Sequence, residues 1–386
     1  MKRSGVADLY LHPGRAPGWL LRRMKAMADA LFQVMVDEHG PRECLRRLGD
    51  PLWFQALSNV LGFDWDSSGT TTVLCGVLKS ILQPDQHGLL AVGGKGARSR
   101  QVPAKLATLS NKLDVSEKQC QDWIFASRMT AKVDSAALQD GYNLYHHMFF
   151  LEPENGIWTV VQQGMDPNTK TSRRYHWLSE DLKSFVEEPH SGLISGKAQK
   201  HVLDLTAHES RECRETCTEI ANEERPERVR RQFFQLKPPP SYHEATLLNW
   251  SDSSDVGPSS QSLIAYHRVL PKQMDWSAVK RIYDIQPTNF EELLGIHGVG
   301  ANTLRGLALL SEMVYGKPPS WEDPVRMTFA FGGKDGVPYP VNRSAYDEAI
   351  RFLEDIVDRA KLNQKEKLQA FRQLRKCLVH PLVAVS

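Results

Sequence analysis

Long apolar runs are missing from this sequence. No segment approaches the roughly 20 uninterrupted apolar residues that a membrane-spanning helix requires. Although the N-terminus is basic, no long apolar stretch precedes a small-residue cleavage site, so the pattern does not predict a secretory leader. We therefore expect a cytoplasmic protein that does not bind a membrane.

A large excess of either charge is also missing. The 48 Lys and Arg residues face 46 Asp and Glu residues, and the formal net charge is only +2. This balance excludes a uniformly basic nucleic-acid binder, so any phosphate-binding surface must be a local patch. Hydrophobic residues make up 41% of the chain and charged residues 24%, which is typical of a soluble globular protein.

Paired cysteines are scarce. Six cysteines are scattered along the chain, and the close pair is Cys213 and Cys217. Together with His208 this pair would make one corner of a zinc site, but no second pair stands at ligand spacing. We expect free thiols, with the zinc corner as the alternative.

The apolar pattern predicts an α+β fold that is mainly helical, with a small central antiparallel sheet and a C-terminal helical domain. Apolar residues at three-to-four spacing favour helices within residues 1–82 and 104–132. Two alternating stretches, residues 144–151 and 157–163, flank an Asn-Gly pair and predict a β-hairpin. The expected domains are an N-terminal helical domain with a glycine-rich basic loop (1–135), a central sheet domain with a polar cluster and a charged helix (136–236), a linker (237–261) and a C-terminal helical domain (262–386).

The strongest functional signal is a Gly298-Val299-Gly300 turn between two apolar helical stretches. Glycines can adopt the positive φ angles of a tight turn, and without Cβ atoms they let backbone amides approach a phosphate. The amides that begin the next helix favour an anion, and Thr303 and Arg305 would add a hydroxyl and a charge. The segment resembles a helix-hairpin-helix, with which many repair enzymes, ligases and nucleases hold a DNA backbone. An ordinary αα-hairpin is the alternative.

Further cations stand in two other segments. Lys95, Arg98 and Arg100 belong to the glycine-rich loop, whose spacing lacks the gap and the Lys-Ser/Thr ending of a Walker loop. We therefore predict a contact to the DNA backbone, with a nucleotide-phosphate site as the alternative. Arg173 and Arg174 are also predicted to bind DNA.

Carboxylates and imidazoles crowd around the predicted β-hairpin. Carboxylates can hold Mg²⁺ or Mn²⁺, and a histidine can transfer the proton during phosphodiester hydrolysis. The candidate metal ligands are Asp134, Asp140 and Glu188. The candidate catalytic residues are these three carboxylates together with His146, His147 and His190. Adjacent strand residues face opposite sides, so His146 and His147 cannot both point into one pocket. The alternative is that these side chains pair with each other on a polar sheet face.

Two family resemblances follow from local segments. Asp323 comes about one helix after the turn, as in the endonuclease III superfamily of DNA glycosylases, and this resemblance implies a glycosylase that uses Asp323. Asn302 stands where bifunctional members of that superfamily have a lysine. Residues 50–57, 173–177 and 331–336 resemble a large prokaryotic family known mainly as a domain of unknown function.

The favoured hypothesis is a divalent-metal-dependent DNA nuclease. Because a backbone-binding hairpin reads no bases, we expect it to select single-stranded or structured DNA rather than a sequence. The alternatives are a glycosylase and a non-catalytic DNA-binding protein, and a homodimer is left open. In each case the aromatic residues near the basic segments, Trp65, Tyr175 and Trp177, would stack on unpaired bases.

Overall fold

The computed structural model describes residues 3–6, 9, 16–63, 68–113, 115–236, 270–271, 273–325 and 343–378. The chain divides into two compact units. The first unit holds residues 1–135, 140–202 and 322–386, and the second holds residues 136–139 and 203–321. Three features singled out above lie outside the described residues: Trp65, the linker at 237–261 and the segment 331–336.

The structure has the predicted α+β fold. In chain order the helices are α1 (Gly18–Leu48), α2 (Pro51–Val60), α3 (Gly69–Ile81), α4 (Pro84–His87), α5 (Ala97–Arg100), α6 (Val102–Leu113), α7 (Glu117–Lys132), α8 (Arg211–Glu223), α9 (Pro226–Gln235), α10 (Trp276–Ile285), α11 (Phe290–Gly295), α12 (Ala301–Tyr315), α13 (Arg343–Arg359) and α14 (Gln364–Leu378). The strands are β1 (Arg3–Val6), β2 (Leu90–Lys95), β3 (Leu138–Gln139), β4 (Asn143–Glu152), β5 (Ile157–Asp166), β6 (Thr171–Leu178), β7 (Gly192–Ser195) and β8 (Leu203–Asp204). A single π-helical turn, Val133–Ala137, follows α7.

The first unit is built on a six-stranded sheet with the order β1-β7-β6-β5-β4-β2. Strand β1 runs parallel to β7, and the other neighbouring pairs are antiparallel. Strands β4 and β5 form the β-hairpin that the sequence predicts, and Gly156 in its turn has a φ of 74°. The predicted hairpin is therefore confirmed.

Strand β2 occupies part of the segment that the sequence pattern assigns to a glycine-rich loop. Gly93 has a φ of 136°, and a Cβ atom there would lie 2.1 Å from the carbonyl oxygen of His147. Glycine thus permits the close approach of β2 to β4. Because glycine is also a poor strand former, the same residues hide the strand from sequence analysis.

One face of the sheet packs on the apolar core formed with α1, α2, α3, α13 and α14. The sheet residues in this core are Met148, Phe150, Val161 and Ile194. The pairing register adds a polar row to the same face, formed by Lys95, His146, Gln163 and Arg174. His147 consequently lies on the opposite face, as expected for adjacent strand residues.

The second unit contains the two-stranded β3–β8 sheet and helices α8 to α12. The sequence predicts one charged helix over residues 200–235, but the structure has two helices after β8. Helix α8 ends at Glu223, and Pro226 occupies the first turn of α9. Proline suits a first turn because its missing amide would be unpaired there, whereas it disrupts a helix interior.

The described cysteines are free thiols and are all buried: Cys44, Cys75, Cys120, Cys213 and Cys217. The expectation of free thiols is confirmed for these five residues. Within the described ranges, no helix combines the length and apolar content needed to cross a membrane.

Candidate functional site

Asp134, in the π-helical turn, lies at the centre of a buried hydrogen-bond network. Its Oδ1 is 2.5 Å from Nε2 of His190. Its Oδ2 accepts hydrogen bonds from Nε2 of Gln162 at 2.6 Å and from Nε1 of Trp177 at 2.9 Å. Both carboxylate oxygens already have partners and the residue is 0% exposed, so the fold holds this group rather than presenting it to a substrate.

The network continues to His147. Its Nδ1 is 2.8 Å from Oε1 of Gln162, and its Nε2 is 3.1 Å from Oγ of Ser127 on α7. Burial lowers the pKa of His147, so the ring is neutral near pH 7. A neutral imidazole offers one donor and one acceptor, which matches these two partners. Asp134, His190 and His147 therefore belong to one hydrogen-bond network, as in the alternative interpretation of the sequence.

Arg173, predicted to bind DNA, is instead the buried centre of an ion-pair cluster. Its guanidinium lies 3.0 Å from Oδ2 of Asp140 and 2.6 Å from Oδ2 of Asp323, and Nε donates to Ser195. The hydroxyl of Tyr175 donates to the same Asp140 oxygen. Although burial opposes the charged form, the two carboxylates raise the pKa of Arg173. The DNA-binding prediction for Arg173 is wrong, because its charge is neutralised inside the fold.

The same cluster engages Asp323, the catalytic candidate of the glycosylase hypothesis. Besides the ion pair to Arg173, Oδ2 accepts a hydrogen bond from the amide of Gln199 at 2.6 Å. Oδ1 accepts one from the amide of Val325 at 2.9 Å. Asp323 thus ties two chain segments to the sheet.

Arg174 is buried on the opposite face and is also unable to reach DNA. Its Nη2 donates to Oε1 of Gln55 at 2.9 Å, Nε donates to Nε2 of His176 at 2.9 Å, and the guanidinium lies over the ring of Phe54. Burial lowers the pKa of Arg174 to about 9. Tyr175 and Trp177 are likewise fully buried, so the predictions of DNA contact and base stacking on β6 are wrong. Strand β6 lies between two neighbours with both faces covered, which leaves its side chains no route to solvent.

His146 is buried close to the basic side chains of Lys95 and Lys79. Neither ring nitrogen has a hydrogen-bond partner within the described part of the chain. Burial, followed by the charges of His147, Lys95 and Lys79, lowers the pKa of His146 to about 3. The ring therefore stays neutral at physiological pH and is separated from Asp134 by the thickness of the sheet, so it is not part of one catalytic group with His147 and His190.

The predicted metal ligands do not converge. Asp134 and Asp140 are buried and hydrogen-bonded to protein donors, whereas Glu188 lies at the exposed surface. In the described ranges, the group of three potential ligands close enough to share an ion is Glu38, His39 and Asp355, all of them exposed. Asp134, Asp140 and Glu188 therefore do not fit a Mg²⁺ or Mn²⁺ centre in this fold.

The cations of the predicted basic loop are exposed, as expected of a phosphate contact. Lys95 ends β2, and Arg98 and Arg100 lie in the short helix α5. Two further cations, Lys79 and Lys105, lie near them and were not predicted from the sequence. Nζ of Lys79 donates to the carbonyl of Gly93 at 2.7 Å. Burial, followed by the charges of Lys105 and Arg98, lowers the pKa of Lys79. The first unit thus carries a local basic cluster.

The helical hairpin of the second unit is formed by α11, residues 296–300 and α12. Gly298 has a φ of 87°, but Gly300 has a φ of −133°, so only the first of the two glycines needs the left-handed region. Val299 is 1% exposed and anchors the turn in the apolar core instead of contacting a ligand. The turn itself agrees with the prediction, whereas a DNA contact by the Val299 side chain is excluded by its burial.

A groove of about 650 Å³ opens beside this turn. Its lining consists of Gln273, Met274, Asp275, Trp276, Gly298, Gly300, Ala301, Asn302 and Thr303. Helix α12 begins at Ala301 without a side-chain cap, and its first helical hydrogen bond is from the amide of Leu304 to Gly300. The amides of the first turn of α12 therefore have no intrahelical acceptor. Thr303 is buried at the groove, and its Oγ1 lacks a partner among the described residues.

Arg281 on α10, rather than Arg305, is the arginine beside the turn. Its Nε donates to the carbonyl of His297 at 2.9 Å, and a Cβ atom on Gly298 would lie 2.1 Å from its Nη2. Arg305 instead donates to Oε1 of Gln139 at 2.7 Å and does not line the groove. A DNA contact by Arg305 stays a prediction. Arg281 was missed because it belongs to the preceding helix, outside the motif.

These features define an α+β protein with buried polar clusters in one unit and a groove beside a helical hairpin in the other. The model of DUF763, a protein family of unknown function, matches residues 5–341, and the chain belongs to that family. The resemblance to a family known mainly as a domain of unknown function is confirmed. Neither a curated protein nor a solved structure matches the chain.

The buried histidines predict a loss of stability in mild acid. Burial lowers the pKa values of His146, His147 and His176, so below pH 6.5 the unfolded chain binds protons that the folded chain does not. The free energy of unfolding should fall as the pH drops from 6.5 towards 3, by up to about 1.4 kcal/mol per pH unit for each histidine. Urea unfolding at several pH values measures this slope, and His146→Gln should remove one histidine's share. An unchanged slope in that variant would contradict the neutral state assigned to His146.

Proposed function

We propose that this protein binds DNA by its sugar–phosphate backbone, with the groove of the second unit as the principal contact. The observation that carries the proposal is the arrangement at the start of α12. Ala301, Asn302 and Thr303, whose amides open α12 without an intrahelical acceptor, line the groove, Thr303 carries a buried hydroxyl with no partner among the described residues, and Arg281 flanks the turn. Amide donors at a helix N-terminus, together with the helix dipole, favour an anion such as phosphate.

The hydroxyl of Thr303 supports the proposal independently of the helix terminus. A buried hydroxyl without a hydrogen bond is costly, by about 1–3 kcal/mol, and native proteins rarely leave such groups unsatisfied. A phosphate oxygen in the groove would accept this hydrogen bond. The resemblance to a helix-hairpin-helix implies the same ligand.

The basic cluster of the first unit, which is exposed at Lys95, Arg98 and Arg100, supports a second contact to the DNA backbone. Lys79, Lys95, Arg98, Arg100 and Lys105 concentrate positive charge in a chain whose net charge is only +2. Such a local patch is what phosphate neutralisation requires.

The geometry supports the nuclease and glycosylase hypotheses less well than it supports DNA binding. Cleavage at the predicted cluster requires carboxylates that reach both an ion and a substrate, but Asp134 and Asp140 are buried and bonded to protein donors. Asp323 is held by Arg173 and two backbone amides. The function that we propose is therefore binding.

The proposal is tested by titrating fluorescently labelled single-stranded and duplex oligonucleotides with the whole protein and following anisotropy. Affinity should fall with salt at a log–log slope of about −0.9 per neutralised phosphate on duplex DNA. Thr303→Val keeps the side-chain shape and removes the hydroxyl. It should weaken binding by about two- to tenfold, the equivalent of one hydrogen bond, without lowering stability.

Two results would overturn this function. One is the absence of measurable binding to either oligonucleotide at low salt. The other is an affinity that does not change with salt concentration, because an interface made mainly to phosphates must release counterions. The same samples, incubated with Mg²⁺ or Mn²⁺ and in parallel with EDTA, show whether strand cleavage also occurs.

A further inference from the structure

The groove is larger than one phosphate requires. Its volume of about 650 Å³ lies within the range of about 300–1,000 Å³ typical of sites for whole small molecules. A backbone contact through the amides of α12 would fill only the end formed by Gly298, Gly300 and Thr303. The start of α10 lines the same groove with a different chemistry.

Trp276, at the start of α10, supplies an aromatic surface in the groove. It is half-buried as the first residue of α10, and Asp275 fixes this position by accepting hydrogen bonds from the amides of Ser277 and Ala278. Phe233 packs against the indole at a centroid distance of 5.7 Å and an angle of 70°, Phe234 lies at 6.1 Å, and Arg230 lies 5.9 Å from the ring centroid, so the remaining surface of the ring is the part open to a base. A ring held in this way is a preformed stacking surface, and base–aromatic stacking contributes about 1–3 kcal/mol per base.

The polar lining also suits a base better than a second phosphate. Gln273 and Asn302 carry amide groups, which both donate and accept hydrogen bonds, as base edges do. Asp275 carries a carboxylate in the same groove, and hydrogen bonds from Ser277 and Ala278 lower its pKa, so it is negative at neutral pH. This carboxylate lies 3.8 Å from Nη2 of Arg281, so it offsets that cation and leaves the groove unfavourable for a second phosphate.

We propose that the groove binds one unpaired nucleotide, with its phosphate at the start of α12 and its base stacked on Trp276. This inference rests on the proposed function and adds a preference for single-stranded DNA. In a continuous duplex both faces of a base are covered by its neighbours, so only an unpaired base can offer a face to the indole.

The test is photocross-linking of the wild-type protein to oligonucleotides that contain 5-iodouracil, followed by mass spectrometry of the labelled peptide. The cross-link should map to Trp276 with single-stranded DNA and be absent with the matching duplex. In anisotropy titrations Trp276→Ala should weaken single-strand binding by about 5- to 100-fold, while Trp276→Phe keeps most of the affinity. Trp19→Ala, which removes a tryptophan that is 56% exposed in the first unit, is the matched control and should not change the single-strand affinity.

The outcomes separate the two proposals. Equal affinities for single strand and duplex, together with no effect of Trp276→Ala, would overturn the nucleotide pocket and leave backbone binding intact. A cross-link that maps outside the groove would also overturn the pocket. Failure to bind any oligonucleotide would overturn the proposed function itself. Because the cross-link uses the unaltered protein, a variant that folds poorly does not affect that result.

Discussion

Replacing Arg173 with methionine is expected to lower the free energy of unfolding by about 3–5 kcal/mol. The guanidinium is 0% exposed and bridges the carboxylates of Asp140 and Asp323. Methionine fills much of the same space but leaves two buried carboxylates without a counter-ion. An uncompensated buried charge costs far more than the loss of one favourable contact. Urea unfolding followed by circular dichroism measures the change.

Arg42→Met is the matched control for this prediction. Arg42 also pairs with a carboxylate, that of Glu180, but its side chain is 58% exposed. Exposed ion pairs contribute about 0–1 kcal/mol, so the control should lose little stability. Equal and small losses in the two variants would contradict the role assigned to Arg173 as the charged centre of the fold.

Gly300→Asp is expected to reduce DNA affinity more than tenfold while the melting temperature stays the same or rises. Gly300 precedes α12 with an extended backbone, and a Cβ atom there meets no other atom within 4 Å. An aspartate at this position caps the helix and favours its dipole, which stabilises the fold. The same carboxylate occupies the amide donors and repels phosphate, which abolishes the anion site.

The control is Gly316→Asp at the opposite end of the same helix. Gly316 follows α12 with a φ of 68° and open space at its Cβ position, and aspartate tolerates this backbone better than most residues. The charge change is identical, but it falls a helix length away from the groove. An equal loss of affinity in both variants would mean that net charge, not the start of α12, governs binding.

The local patterns of the sequence predict much of the fold. Alternation and an Asn-Gly pair identify β4 and β5, and glycines between apolar stretches identify the turn before α12. Strand β2 escapes prediction because its glycines, which the close approach to β4 requires, are poor strand formers. Sequence patterns therefore predict a segment correctly where its own residues determine its structure, and fail where contact with another strand determines it.

The site was harder to predict because burial depends on the tertiary fold. The pattern Arg173-Arg174 looks like a basic DNA contact, yet β6 lies between two strands and buries both side chains on opposite faces. Of the acids and histidines around the hairpin, the fold brings together Asp134, His147 and His190, which are held in one hydrogen-bond network through Gln162, whereas His146 lies on the opposite face of the sheet. Conversely, Trp276 lines the groove and Arg281 contacts the turn, both from α10, which no spacing within the turn motif indicates.

Amide hydrogen exchange of the wild-type protein, with and without a saturating oligonucleotide, tests the central claim most directly. The account predicts slower exchange at residues 298–303, because a bound phosphate accepts hydrogen bonds from amides at the start of α12. Protection should disappear in Gly300→Asp. DNA-dependent protection confined to other segments, with residues 298–303 exchanging at the rate of the free protein, would contradict it.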